Sequence, residues 1–321
     1  MSEHTPLEPV TISQAFKRAI EKFPVATIED VKLMVPENNA KWREVIHQRN
    51  AQQKKRIKKM RKQLNVSVEL MEVAGVSVRK LTPEVLCPRY ENHIYLDIHG
   101  GAYVFFGGLP SIEEGLLIAS RLGIVVYSID YSMPPNSPAP AAVNDIEAVY
   151  MSFSQQLGSH HIFLGGTSAG AGLAVALTQQ LINNGISLPA ALYAGTPWVD
   201  LTFAGDSRRV NEGADRVLVT FDGLLASAAK LYAGSASLSD PNISPINGGF
   251  SLFPPTFIVA GTRDLFLSDA VRLNRKIRSC KGDTQLEVIE GMSHAEYLIA
   301  YETPESYAVY DELNAFFKRW L

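Results

Sequence analysis

Five short runs of this chain are apolar without alternating: HIYLDI, IVVYSI, HIFLGG, ALYAG and TFIVAG. Successive side chains of a strand point to opposite faces. A run that is apolar at nearly every position is therefore a strand buried on both faces, the condition of a parallel sheet covered by helices. Ahead of these runs, VSVELMEV and VSVRKLT alternate around an AG turn, as a hairpin or strand pair does. TQLEVIE closes the set. Helical segments separate most of the strands. Val143, Ile146, Tyr150, Phe153 and Leu157 step by three or four, and so do Tyr307, Tyr310, Leu313, Phe317 and Trp320. Ser111 to Glu114 has the spacing of a capping box before a helix ending near Leu122. About eight strands with interleaved helices predict a doubly wound α/β fold with a mostly parallel sheet.

The 321 residues suffice for one large α/β domain or two ordinary ones. With 46% hydrophobic and 20% charged residues, the composition is that of a globular chain. A net charge of −3 gives no reason to expect a nucleic-acid partner. The start, MSEHTPLEPV, has no apolar core of a secretory signal, and no run is long enough to span a bilayer. Cys87 and Cys280 are the only cysteines, too few for a disulfide framework. They read as free thiols, and the expected location is the cytoplasm.

Two regions depart from the strand–helix rhythm. Residues 1–62 look helical. Ile12, Phe16, Ile20 and Phe23 share one face, and a basic stretch from Lys54 to Lys62 carries the apolar stripe Ile57, Met60, Leu64. A basic amphipathic helix can lie on a membrane, although a solvated helix face has the same composition. The second region separates ALYAGTP from TFIVAG by about sixty residues, far more than one crossover helix needs. Within it, TFDGLLASAAKLY is predicted as a helix capped by Thr220, and NISPINGGFSLFPP as loop.

GGTSAGAG, Gly165 to Gly172, joins an apolar strand to a helix. Such a loop can cradle a phosphate or present a nucleophile. No Lys follows as a Walker loop requires, and G-x-G-x-x-G is absent. G-x-S-x-G does fit, from Gly166 through Ser168 to Gly170. A serine on a strained strand-to-helix turn needs small neighbours, which Ala169, Gly170, Ala171 and Gly172 supply.

A nucleophilic serine also needs a base, an orienting carboxylate and oxyanion donors. Of the seven histidines, His99 in DIHGGAY and His294 in EGMSHAEY lie in loops at strand C-terminal ends. Only His294 follows Ser168, as the order Ser, acid, His demands. Asp264, after TFIVAG, is the natural acid, with Asp269 as an alternative that could instead begin the next helix. The glycines of HGGAY let N–H groups point into the site, or else only make a tight turn. Ala169 N–H is the expected second donor. His99 is expected to brace the loop.

Taken together, HGGAY, DYSMPPNSPAPAAVNDIEAVY, GGTSAGAG, TPWVDLT and the Asp264 and His294 loops resemble the hormone-sensitive-lipase-like branch of the α/β-hydrolases, the bacterial family IV esterases. The likeness runs from about residue 90 to 300 and rests on co-occurrence in the right order. It implies an α/β-hydrolase fold whose eight-stranded, mostly parallel sheet is flanked by helices and covered by a helical cap. Residues 1–62 would supply N-terminal cap helices, and residues 63–321 the core, with a cap insertion at about 201–248. It implies a catalytic triad of Ser168, Asp264 and His294. It also implies an oxyanion hole at Gly100, Gly101, Ala102 and Ala169, with Gly100 shaping the loop.

Two departures stand out: Ala102 replaces a third glycine, and GTSAG replaces the commoner GDSAG, as in a recognised subgroup. Because Ala adds a Cβ, Ala102 is expected to have an ordinary backbone conformation.

The expected function is a serine carboxylesterase for short- to medium-chain acyl esters, needing no metal or cofactor. A lactone, aryl ester or formamide would suit the same machinery. A ligand-binding receptor on this fold, or an interaction protein using the basic helix, are the non-enzyme alternatives. Tyr103, Phe105, Phe106, Trp198 and Phe203 are candidates for the pocket or, equally, for the core. The resemblance allows a homodimer, though no residue pattern fixes one.

Overall fold

The non-alternating runs form the centre of one sheet in the computed structural model, which describes residues 10–22 and 25–321. Phe23 and the first nine residues lie outside the described set.

Three helices come first: α1 (Gln14–Ile20), α2 (Ile28–Leu33) and the long α3 (Asn39–Gln63). Strands β1 (Val66–Val73) and β2 (Val76–Pro83) make an antiparallel hairpin in which Val73 faces Val76. Its two turn residues, Ala74 and Gly75, have φ of 51° and 82°. Two left-handed residues give the turn whose twist matches paired strands. After β3 (Ile94–Ile98) come α4 (Glu113–Leu122), β4 (Val125–Ile129), α5 (Ala141–Leu157), β5 (Ile162–Thr167), α6 (Ala169–Asn183) and β6 (Ala191–Gly195). The insertion holds α7 (Ser207–Val210) and α8 (Leu224–Ala233). The chain closes with β7 (Thr256–Gly261), α9 (Leu267–Ser279), β8 (Thr284–Ile289), α10 (Glu296–Ile299) and α11 (Pro304–Phe317).

Among the described residues the sheet has eight strands in the order β1-β2-β4-β3-β5-β6-β7-β8. β2 runs antiparallel to β1 and β4, and all other neighbours are parallel. Every residue of β3, β5, β6 and β7 is buried. Their side chains divide between two cores. In β7, Phe257 and Val259 join α4, α11 and α1 on one face, whereas Ile258 and Ala260 join α5, α6 and α9 on the other. Each fully buried large side chain contributes about 1.5–3 kcal/mol, so two-faced burial favours runs without polar positions.

Two helix starts differ from the sequence prediction. Ser111 does not cap a helix. It lies in a 3₁₀ turn, Leu109–Ile112, and α4 starts at Glu113 with no side-chain cap. Glu114, the expected partner, turns inward instead and accepts a hydrogen bond from Thr167 Oγ1 at 2.8 Å. Thr220 does not cap α8, which begins at Leu224 after Gly223. Its hydroxyl donates to Glu212 at 2.6 Å and accepts from the Asp222 N–H at 3.2 Å. A tertiary partner outcompetes the local cap in the first case, and a turn does so in the second.

The N-terminal helices are tied to both the core and the insertion. At the N-cap of α1, Ser13 Oγ donates to Glu305 of α11 at 2.9 Å, and Phe16 and Ile20 are buried. The buried stripe of α3 is Ile57 and Met60, with Leu64 partly buried on the same cluster. Lys54, Lys55, Lys58, Lys59, Arg61 and Lys62 are exposed around that stripe. α2 lies beside α8, where a Cβ on Gly223 would run into the Val31 carbonyl. Among the described residues, no helix is long and apolar enough to cross a membrane.

Candidate active site

Ser168 stands alone between β5 and α6, with φ 61° and ψ −120°. For a residue with a Cβ this strained conformation costs about 1–3 kcal/mol and needs support. The support is backbone: Ser168 N–H donates to Gly195 O at 2.8 Å, and its carbonyl accepts from Gly172 N–H at 3.1 Å and Trp198 N–H at 3.2 Å. The small neighbours are required by close approach. A Cβ on Gly166 or on Gly170 would overlap the carbonyl oxygen of Ile98, where β3 ends. Beneath the serine, Thr167 Oγ1 shares a buried network with Glu114 at 2.8 Å and Tyr297 OH at 2.6 Å.

Asp264 follows β7 and His294 follows β8. His294 Nδ1 lies 3.0 Å from Asp264 Oδ1, and both residues are buried. A carboxylate can only accept, so Nδ1 carries the proton and Nε2 is the free acceptor. Burial pulls the His294 pKa down, but the Asp264 charge and hydrogen bond outweigh it and the net shift is upward. Phe266 N–H also donates to Asp264 Oδ1 at 2.8 Å. The alternative acid, Asp269, is engaged elsewhere. It pairs with buried Arg208 at 3.1 Å and accepts the N–H groups of Val199 and Asp200.

The loop after β3 curls tightly, with Val104 and Phe105 N–H both donating to Gly101 O at 3.0 and 2.8 Å. The turn corrects one expectation. Gly101, Ala102 and Tyr103 have φ of 112°, 54° and 64°, so Ala102 is left-handed rather than ordinary. The Cβ penalty is about 1–2 kcal/mol. It is tolerated because the curl fixes three successive residues together. His99 braces this loop: Nδ1 is 2.7 Å from Gly100 O, its ring stacks on Tyr131 at 4.2 Å, and Tyr131 OH donates to His99 O at 2.8 Å. Burial holds the His99 pKa down, so the ring is neutral and Nδ1 donates.

Ser168, His294, Gly100, Gly101 and Ala102 line one cavity of about 400 Å³. Its other wall comes from α2 and α3 and from the insertion, including Val31, Arg49, Leu218 and Leu225. Phe105 and Phe106 line it, but three other aromatic candidates do not. Tyr103 stacks on Tyr232 at 4.2 Å and donates its hydroxyl to Trp198 O at 2.7 Å. Trp198 is fully buried against Phe266, 5.0 Å between ring centroids. Phe203 is 43% exposed and stands under Arg209. Their sequence position near the loops was sound, but the side chains turn away from the cavity. Among the described residues, no group of three or more His, Cys, Asp or Glu side chains could hold a metal ion.

A family described by the α/β-hydrolase fold matches residues 95–298, from β3 through most of α10. The chain belongs to the α/β-hydrolases. An acetyl-hydrolase of Streptomyces hygroscopicus is 32% identical over 76% of this chain and 81% of its own length. A crystallised esterase superposes with a TM-score of 0.97 at 40% identity, covering 100% of this chain and 98% of the other. An esterase of the bacterial hormone-sensitive lipase family gives 0.76 at 25% identity, with 96% and 98% covered. The hydrolase thus sits in the hormone-sensitive-lipase-like branch.

Three titratable residues around this hydrolase site are not marked by the sequence as site residues. Asp215, from the insertion, is fully buried. Its Oδ1 accepts the N–H groups of Val217 and Leu218 at 2.9 and 3.0 Å, and its Oδ2 accepts Leu265 N–H at 2.9 Å. It thereby ties the cavity-lining insertion to the residue after Asp264. Burial and the Asp264 charge push its carboxyl pKa up. Glu114 is pushed up to about 8, by burial first and Asp97 second. The third is Arg49. Glu114 and Arg49 meet their partners through contacts distant in sequence, and so does Asp215 at Leu265, so spacing gives no clue to these links.

Proposed function

We propose that this hydrolase is a serine carboxylesterase acting on short- to medium-chain acyl esters, with Ser168, His294 and Asp264 as its triad. The observation that carries the reading is the buried His294–Asp264 contact at 3.0 Å, on a cavity that Ser168 and the Gly101–Ala102 loop also line. His294 Nε2 takes the Ser168 proton as Oγ attacks the ester carbonyl. Asp264 holds the ring and stabilises the imidazolium. N–H groups of Gly101, Ala102 and Ala169 receive the oxyanion, and Ala169 lies at the positive N-terminal end of α6. His294 returns its proton to the leaving alkoxide, and the alcohol departs. Water, deprotonated by the same nitrogen, then releases the acid from the acyl-serine. The cavity of about 400 Å³ supports compact acyl groups rather than long ones. A reducing, cytoplasmic setting is in keeping with the free Cys87 and Cys280 thiols.

The test is hydrolysis of p-nitrophenyl esters from acetate to palmitate, with Ser168→Ala alongside. Turnover peaks at short or medium chains and falls on the order of 10⁶-fold in the variant. Residual activity within tenfold of wild type would remove Ser168 from the mechanism.

A further inference from the structure

Most charges around the cavity are already answered. Arg56 pairs with Glu113 at 2.8 Å and donates to the carbonyls of Leu298 and Ile299. Arg216 donates to the Ile20 carbonyl at 3.1 Å and faces the buried carboxyl of Glu296. Burial raises the Glu114 pKa to about 8, which makes it a neutral acid near pH 7. His99 is neutral, and His294 has Asp264.

Arg49 is different. It projects from the middle of α3, is half-buried, and lines the cavity. Among the described residues it has no carboxylate partner and no hydrogen bond. Its guanidinium stands over the ring face of Phe105, 5.1 Å from the centroid. Phe105 belongs to the same turn as Gly101, whose carbonyl its N–H meets at 2.8 Å. A guanidinium that burial partly strips of water is favoured when an anion meets it, and a π-face compensates only in part. Most of the cavity wall is apolar, with Val31, Met34, Leu224 and Leu225 among the residues that line it. The cavity thus offers an apolar chamber with one unanswered positive charge above the oxyanion loop.

We infer that Arg49 is an anion anchor, and that the preferred substrates are esters carrying a carboxylate away from the scissile bond. The inference rests on the serine-esterase reading above. Glu113 and Arg56 form the neutral rim, and Arg49 receives the substrate carboxylate in a charge-assisted, planar pairing that Lys would reproduce less well.

The test uses two matched pairs, so that the anion can lie on either side of the ester. Mono-p-nitrophenyl adipate is compared with p-nitrophenyl hexanoate, and 4-carboxyphenyl butyrate with 4-carbamoylphenyl butyrate, each corrected for spontaneous hydrolysis. In at least one pair, Arg49→Gln lowers the charged-to-neutral ratio of kcat/KM by about fivefold or more, the scale of a partly screened ion pair. Arg49→Lys lowers it less, and added NaCl lowers it in wild type but not in Arg49→Gln. Smaller changes in both pairs would overturn the inference while leaving the esterase reading intact. If wild type hydrolyses none of the four esters, the esterase reading itself fails and the anion anchor falls with it.

Discussion

The two walls of the cavity are built in different ways. The core wall presents backbone: the Ser168 turn, the Gly101–Ala102 loop and the two loops carrying Asp264 and His294. Its positions are set by contacts with no slack, such as Gly166 and Gly170 against the Ile98 carbonyl. The cap wall presents side chains from α2, α3 and the insertion, with Leu218 half-buried and Val217 37% exposed. It is joined to the core by separate polar links: Arg56 to Glu113, Asn50 to the Phe106 N–H at 2.8 Å, and Asp215 to the Leu265 N–H. The rigid wall suits chemistry, where small displacements are costly. The side-chain wall suits selection, where one residue can change without moving its neighbours.

Changes on the core wall are expected to be the larger. Asp264→Asn leaves the fold intact but permits the wrong tautomer of His294, and kcat falls by about 10⁴-fold. A loss under tenfold, measured on p-nitrophenyl butyrate, would mean that the histidine needs no orienting charge. Gly170→Ala drives a Cβ into the Ile98 carbonyl. Overpacking of that kind costs about 1–3 kcal/mol. The melting temperature should drop, and the displaced Ser168 turn should lower kcat by about 10²-fold. By contrast, Leu218→Ala on the cap wall should move the acyl-chain optimum toward longer esters. If Gly170→Ala is silent and Leu218→Ala halts turnover, the division between the walls is wrong.

A different division, cutting across the core wall itself, separates what the sequence discloses from what it hides. β3, β5, β6 and β7 were legible because two-faced burial leaves apolar runs. The loop positions of Ser168, Asp264 and His294, each after a parallel strand, were legible because the order of strands dictates where those loops fall. The close approach of Gly170 leaves its mark as a small residue. Side chains with distant partners, and loops that curl, leave no such record. Glu114 has the spacing of a capping partner, yet its carboxyl goes to Thr167, fifty-three residues away. Trp198 and Tyr103 flank the site in sequence, but packing turns them into the core. Ala102 has a methyl group that argues for ordinary φ, and only the paired N–H groups on Gly101 O reveal the left-handed curl.

Asp215 links the two walls, so its replacement tests whether they are separable. In the proposed mechanism His294 must be neutral to accept the serine proton, and activity should therefore fall as pH drops through its pKa. That pKa is raised above the ordinary imidazole value, because the Asp264 charge, with Asp215 and Asp269 behind it, outweighs burial. Asp215→Asn removes one of those negative charges. The His294 pKa falls, and the acid limb of kcat/KM against pH moves to lower pH. The change in kcat at the plateau should stay within about tenfold, since the His294–Asp264 contact remains. A limb that does not move would make Asp215 a brace for the insertion alone.

The smallest effect is expected at Ala102, where two backbone terms oppose each other. At φ 54° its Cβ costs about 1–2 kcal/mol, which glycine would relieve. Glycine also gives the unfolded chain more freedom, worth about 0.5–1 kcal/mol in the other direction. Ala102→Gly should therefore shift stability by no more than about 1 kcal/mol, a few degrees in Tm for a domain of this size. The N–H that would receive the oxyanion is present in both residues, so kcat should change less than about threefold. A tenfold loss would show that the methyl group, buried at 9% exposure, holds the loop in its curl. The alanine would then be a structural element of the oxyanion turn, and the departure from three glycines would be a requirement of this chain's packing.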